Sequence, residues 1–182
     1  MQHADRTEVV PAQPVPPTPD HVSREFRRAM RRLTSTISIL ATSENGRPIG
    51  MIATAVTSLS ADPAAILTCI GHTASLFLPL MRQKRFTVSL LRSVHEDLIP
   101  IFSGGMKGPD RFSHGNWVDR DDLPYLADAQ ATLFCAVERT LTYADHEIVV
   151  GRVIEAEVSD VVSPLLWQNG QPAYAKPANF RR

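Results

Sequence analysis

From residue 34 to residue 157 the chain is written in short runs of β-branched and apolar residues, set apart by turn residues. Strand–helix–strand alternation is absent, so a doubly wound parallel sheet is excluded and an antiparallel β architecture remains. Thr34–Thr42 is the first run, with Ile37 and Ile39 alternating against Ser38. Glu44-Asn45-Gly46-Arg47 is a turn, and Asn-Gly favours the type I′ hairpin geometry. Ile49–Leu59 reads as the returning strand, so residues 34–59 predict one hairpin, closed off by Asp62-Pro63. Ala64–Ile70, Phe86–Leu91, Ala131–Thr140 and Glu147–Glu157 supply four more strands. Six strands at short spacing with few helices predict a mainly β domain with short helices, closed as a barrel.

The helical signals are local. Pro11, Pro14, Pro16, Pro17 and Pro19 make residues 1–19 a flexible arm that buries little apolar surface. Asp20 caps a helix in which Val22, Phe26, Ala29, Met30 and Leu33 share one face. Arg24, Arg27, Arg28, Arg31 and Arg32 fill the others and read as a solvated surface rather than a phosphate site. Ser75 caps a short helix over Leu76–Gln83, limited by Pro79. Ser93-Val94-His95-Glu96 has the spacing of a capping box and predicts a helix to Phe102. Ser103–Trp117 is a loop holding Gly104, Gly105, Gly108 and Gly115, and Asp121-Asp122 is a solvated turn. Trp167–Arg182 carries few structural signals. The domain spans 20–175, and 176–182 is a tail.

Composition narrows the function by exclusion. The 182 residues suit one domain, and 19 Lys+Arg against 19 Asp+Glu leave zero net charge. Such a chain has no general electrostatic attraction for nucleic acid or an anionic membrane. No apolar run approaches the roughly 20 residues of a membrane helix, and Arg6 is followed by no apolar core of a secretory signal. The expected compartment is the cytoplasm. Cys69 and Cys135 sit in apolar runs and read as free buried thiols. His72, His95, His114 and His146 are scattered, with no H-E-x-x-H or C-x-x-C, so no metal site is expected. No G-x-S-x-G elbow, G-x-G-x-x-G or phosphate-loop motif occurs.

One stretch keeps chemical interest. Gly50-Met51-Ile52-Ala53-Thr54-Ala55-Val56-Thr57-Ser58-Leu59-Ser60 is a strand of small side chains. A flat ring can lie against such a backbone and take hydrogen bonds from its N–H groups. Close packing of neighbouring elements explains the same small residues equally well.

Five segments, in order, resemble the flavin reductase-like family, which includes the reductase components of two-component flavin-dependent monooxygenases. Phe26-Arg27-Arg28-Ala29-Met30 is similar to the family's opening helix. Residues 50–63 resemble its flavin-cradling strand and the turn after it, and Arg85-Phe86-Thr87-Val88-Ser89-Leu90-Leu91 the strand that follows. Asp110-Arg111-Phe112 matches a central loop motif, and residues 144–153, from Ala144-Asp145-His146, a Gly-Asp-His strand. The family usually has Gly where this chain has Ala144, and often Asn where it has Gly71 and Ser89.

The resemblance implies a split β-barrel of the FMN-binding type, usually a homodimer, that moves hydride from NADH or NADPH to FMN or FAD for a partner oxygenase. A non-catalytic flavin- or haem-binding barrel is the alternative. Position by position, it implies that Thr54, Ala55 and Val56 line the isoalloxazine ring, with Met51, Ala53 and Cys69 in the same cofactor-binding set. Ser58 and Ser60 are implied at the ring edge or ribityl chain, and His72, Thr73 and Ser75 at the phosphate. Lys84, Arg85 and Phe86 are implied at the phosphate or adenylate end, and His146 at the nicotinamide as the catalytic residue.

Overall fold

A computed structural model describes residues 18–176. Residues 1–17 of the expected arm and 177–182 of the expected tail lie outside the described residues. Pro19 belongs to the first helix rather than to the arm. Helix α1 runs Pro19–Met30, with Pro in its first turn and Thr18 rather than Asp20 as cap: the Thr18 hydroxyl accepts from His21 N–H at 3.3 Å. No α1 residue is buried, and Val22, Phe26, Met30 and the following Leu33 are exposed.

Seven antiparallel strands form the main sheet, in the order β3-β2-β6-β9-β10-β5-β4. They are β2 (Ser38–Glu44), β3 (Arg47–Ala53), β4 (Val56–Ala61), β5 (Ala64–Gly71), β6 (Arg85–Leu90), β9 (Ala131–Tyr143) and β10 (His146–Val158). The expected hairpin forms between β2 and β3, turning at Asn45-Gly46, where both residues have positive φ. The expected single strand Ile49–Leu59 does not form. It breaks at Thr54-Ala55, and its halves become β3 and β4, the two opposite edges of the sheet.

That break proves closure. Seven strands laid flat would hold their edges ~29 Å apart, at ~4.8 Å per gap. Ala53 and Val56 are joined by three Cα steps, at most ~11 Å. Only a sheet curled until its edges meet satisfies both, so the seven strands make a barrel.

The barrel interior is filled by Leu40, Ile66, Ile70, Leu76, Leu80, Phe86, Val88 and Val149, all 5% exposed or less. Phe86 packs on β10 where Gly151 leaves room: a Cβ there would stand 2.7 Å from Phe86 Cζ. A second core lies between the sheet and its coverings, around Ile37, Ile39, Leu91, Leu98, Phe102, Leu126 and Leu165.

Three coverings depart from the sequence expectation. Thr34–Thr42 is interrupted at Ile37, and its first part, β1 (Ser35–Thr36), pairs with β11 (Leu165–Gln168) instead of the barrel. β11 returns through Asn169-Gly170 into β12 (Gln171–Tyr174), a hairpin in the region read as signal-poor. Trp117, read as loop, opens β7 (Trp117–Arg120), which pairs with β8 (Leu123–Leu126) across the exposed Asp121-Asp122 turn. Two buried hydroxyls moor that hairpin to the barrel: Thr87 Oγ1 donates to Pro124 O at 2.6 Å, and Ser89 Oγ accepts from Leu126 N–H at 3.2 Å.

The two expected side-chain caps are absent. Helix α2 (Phe77–Gln83) starts after Leu76 with no side-chain cap, so Ser75 is not its N-cap. At residues 93–96 the box is built by another residue: His95 Nδ1 accepts from Arg92 N–H at 3.1 Å, and Glu96 bonds the Tyr174 hydroxyl. A three-residue turn at Ser93–His95 replaces the long helix; short turns at Leu98–Pro100 and Ile101–Gly105 follow. Cys69 and Cys135 are both free, and burial pushes the Cys135 thiol up to about 12.

Candidate functional site

The barrel seam brings three strand ends together. Val56, at the start of β4, faces Thr68 on β5; Cys69 faces Ile148, and Gly71 faces His146, the first residue of β10. Thr54 and Ala55 lead into that same end of β4. Both are exposed, and among the described residues their N–H groups donate to no main-chain carbonyl. Two free donors on a backbone carrying only a hydroxyl and a methyl make a flat, polar-edged shelf.

Beside the shelf, the β9–β10 turn presents His146. Ala144 sustains that turn at φ 51°, a left-handed conformation that costs a non-glycine residue about 1 kcal/mol. The His146 ring lies against Gly71, where a Cβ would stand 3.6 Å from Nε2. Its Nδ1 is 2.8 Å from Asp145 Oδ1, a contact that holds the Asp145 carboxyl below the usual carboxylate range. The next residue, Glu147, is buried: its Oε2 accepts from the Thr142 hydroxyl at 2.8 Å and lies 3.3 Å from His72 Nε2. The Thr142 bond, reinforced by His72, lowers the Glu147 pKa. His72 N–H also donates to Asp145 O at 2.9 Å, and its ring packs 4.8 Å from that of Phe77. The loop Gly71–Leu76 is thus tied at one end to the His146 turn.

Its other end opens into a groove of about 1200 Å³. The walls are the β2–β3 hairpin from Glu44 to Ile52, the segment Thr73–Ser75, and the glycine-bearing loop from Phe102 to Arg111. The hydroxyls and N–H groups of Thr73 and Ser75 are free of main-chain partners among the described residues. Glu44 is the acid in the lining, and Arg82 Nε holds its Oε1 at 2.6 Å.

The family model for the flavin reductase like domain matches residues 30–176. The chain belongs to the flavin reductase-like family. It is 34% identical over 165 residues to the reductase component of an FADH2-dependent resorcinol hydroxylase from Rhizobium sp. (strain MTP-10005), covering 89% of this chain and 92% of the relative. It is 37% identical over 152 residues to a flavin reductase (NADPH) from Lentzea aerocolonigenes, covering 81% and 87%. Among solved structures, the NADH:FAD oxidoreductase of Streptomyces globisporus C-1027, in complex with NAD and FAD fragments, superposes with TM-score 0.80 at 27% identity, covering 87% and 95%. The barrel is therefore the split β-barrel of the flavin reductases, mainly β with short helices.

The residues of this flavin reductase-like domain suit a flavin by the chemistry of their donors. A planar ring needs a flat surface with N–H donors, which Thr54 and Ala55 offer. A phosphate needs convergent donors, which Thr73 and Ser75 offer. Val56, Ser58 and Ser60 follow along β4, and Cys69, half-buried, is the residue after Thr68, the β5 partner of Val56. Met51 lines the groove rather than the shelf, and Ala53 is buried just before the crossing. Lys84 and Arg85 are exposed at the start of β6 and outside the groove lining. Phe86 is not at the phosphate or adenylate end: with 0% exposure and its ring over Gly151, its side chain is core and presents no surface to a ligand. Ser89 is likewise committed to β8.

No sequence motif assigns a ligand-binding role to Arg47, Lys107, Arg111 or Glu147. Arg111 stood in the Asp-Arg-Phe segment, but its burial depends on how the glycine loop folds back over β3, which no local pattern encodes.

Proposed function

We propose that this chain is the reductase of a two-component pair: it carries hydride from NADH or NADPH to FMN or FAD and releases the reduced flavin to a separate oxygenase. The observation that carries the reading is the exposed Thr54-Ala55 crossing, with its two unspent N–H donors beside His146, in a member of the flavin reductase-like family. A bound flavin would supply the redox chemistry, as the acceptor of hydride from the nicotinamide.

The protein's part is placement. Thr54 and Ala55 N–H groups donate to the polar edge of the ring and stabilise negative charge that grows there as hydride arrives. His146, its Nδ1 fixed by Asp145, presents Nε2 over Gly71 and orients the nicotinamide against the ring face. Glu147 and Thr142 hold His72, and through it the Thr73–Ser75 donors that take the flavin phosphate. Ser58 and Ser60 contact the ribityl chain. No side chain is needed as a strong base, because a hydride moves with its electron pair.

A homodimer belongs to this reading. The exposed stripe of Val22, Phe26, Met30 and Leu33 has no cover among the described residues, and a second copy gives it one. Light scattering checks the mass. No helix among the described residues is long and apolar enough to cross a membrane.

The deciding experiment mixes purified protein with each nicotinamide and each flavin and follows reduced-nicotinamide absorbance. Flavin-dependent oxidation is expected. A flat trace with all four combinations removes the reductase, and a yellow protein that stays oxidised favours a flavin carrier.

A further inference from the structure

The groove contains a buried charge that no acid among the described residues answers. Arg111 is 7% exposed. One terminal nitrogen donates to Gly50 O at 2.7 Å and the other to Met106 O at 2.8 Å; Nε is buried with no hydrogen-bond partner. These oxygens are neutral, and among the described residues no carboxylate lies within ion-pair distance of the guanidinium. Arginine does not discharge in proteins, so this is a desolvated cation without a counter-ion. Burial pulls its pKa down, as such isolation requires. Arg111 lies 5.6 Å over the Phe102 ring, and Arg120 shows the alternative within the same fold: it too lies over aromatic rings, yet it is bonded to Glu155 and Glu157.

Arg111 is not alone. Arg47 and Lys107 line the same groove, are exposed, and make no ion pair among the described residues. The acid in the lining, Glu44, is spent on Arg82. Three unanswered cations in one groove stand out in a chain whose net charge is zero. The two carbonyl bonds also fix the Arg111 fork in place, so an incoming anion meets a cation that is already oriented.

We propose that this groove receives phosphate groups of a nucleotide cofactor, with buried Arg111 as the fixed cation and Arg47 and Lys107 at the mouth. The inference rests on the reductase reading and deepens it. The ligand chemistry is a phosphate ester, which the flavin or the nicotinamide dinucleotide can supply. Because Arg111 joins the glycine loop to β3, the bound phosphate also settles the loop that forms the groove's outer wall.

The test is direct titration of riboflavin, FMN, FAD, NADH and NADPH into wild type, an Arg47→Ala/Lys107→Ala double variant, Arg111→Lys and Arg111→Met. Two lost phosphate contacts should weaken the phosphorylated ligand by about tenfold in the double variant, and added salt should weaken wild type more than the variant. Riboflavin, which has no phosphate, should move by less than about twofold under the same comparison. Arg111→Lys keeps the charge but loses the fork, and should fall between wild type and Arg111→Met. If Arg111→Met does not fold, the double variant at exposed positions carries the test.

A loss confined to FMN and FAD assigns the phosphate to the flavin, and one confined to NADH and NADPH assigns it to the nicotinamide; both support the proposal. Unchanged affinity for all five ligands in the folded double variant, an equal loss for riboflavin, or no binding of any phosphorylated ligand by wild type overturns it. Wild type that binds FAD but oxidises no NAD(P)H removes the reductase reading and leaves the groove standing.

Discussion

The His146 turn and the groove share one loop, Gly71–Leu76, yet they handle charge in opposite ways. At the turn every acid has a partner: Asp145 with His146, Glu147 with Thr142 and His72. In the groove Arg47, Lys107 and Arg111 have no acid partner among the described residues. Groups satisfied by their neighbours are rigid and can position a ligand. Groups left without a partner have binding energy to give one. On that difference the turn is where geometry is set, and the groove is where affinity resides.

Four variants press on this division. The largest effect is expected from Thr54→Trp, which fills the shelf without touching either charged region. Flavin affinity should drop on the order of 100-fold, since small misplacements in a preorganised site cost that much. Undiminished binding by the folded variant, followed by flavin fluorescence, puts the ring elsewhere.

His146→Ala comes next. If the turn positions rather than anchors, KM for the reduced nicotinamide should rise or kcat fall by about tenfold, with flavin affinity within about twofold. Steady-state kinetics unchanged in both nicotinamides would strip the turn of its role.

Glu147→Gln tests whether the matched acids support the fold. The Glu147 carboxyl sits below its ordinary value of 4.5 when folded, so its contribution is complete above that pH and disappears as pH falls through the depressed value. Wild type should lose stability on acidification from pH 7 into that range, and the variant should lose less. Urea midpoints at both ends of the range measure the gap.

The smallest effect is Ala144→Gly. Relief of the left-handed conformation at φ 51°, less the added entropy of the unfolded chain, should stabilise by no more than about 0.5 kcal/mol, read from chemical denaturation. A destabilised variant would mean the methyl group does more at the turn than strain it.

Much of the barrel was readable, because strand alternation and the Asn45-Gly46 turn are local signals that the tertiary structure respects. The break at Thr54-Ala55 was not. Its residues suit a strand, and only the closing of the sheet forces the chain to change edges there. The β11–β12 hairpin did carry a signal, Asn169-Gly170, but its strands are four residues each and lack a clear alternation. The residues at 93–96 offered a serine–glutamate box, and a histidine in between took the bond instead.

In the site, family likeness marks Thr54, His146, Thr73 and Ser75, and it marks Phe86 as well, whose side chain is core. Arg111 shows the limit of reading by position. Its chemistry comes from the loss of water around it, and that loss is produced by residues sixty positions away on β3.

The two-residue crossing at Thr54-Ala55 has an evolutionary consequence. One residue inserted or deleted there would invert β4, sending its inward side chains out and its outward ones in. Hairpin tips such as Asn45-Gly46 and Asp121-Asp122 can lengthen freely among descendants of this chain. The seam cannot, so its spacing should be the last thing in the sequence to drift.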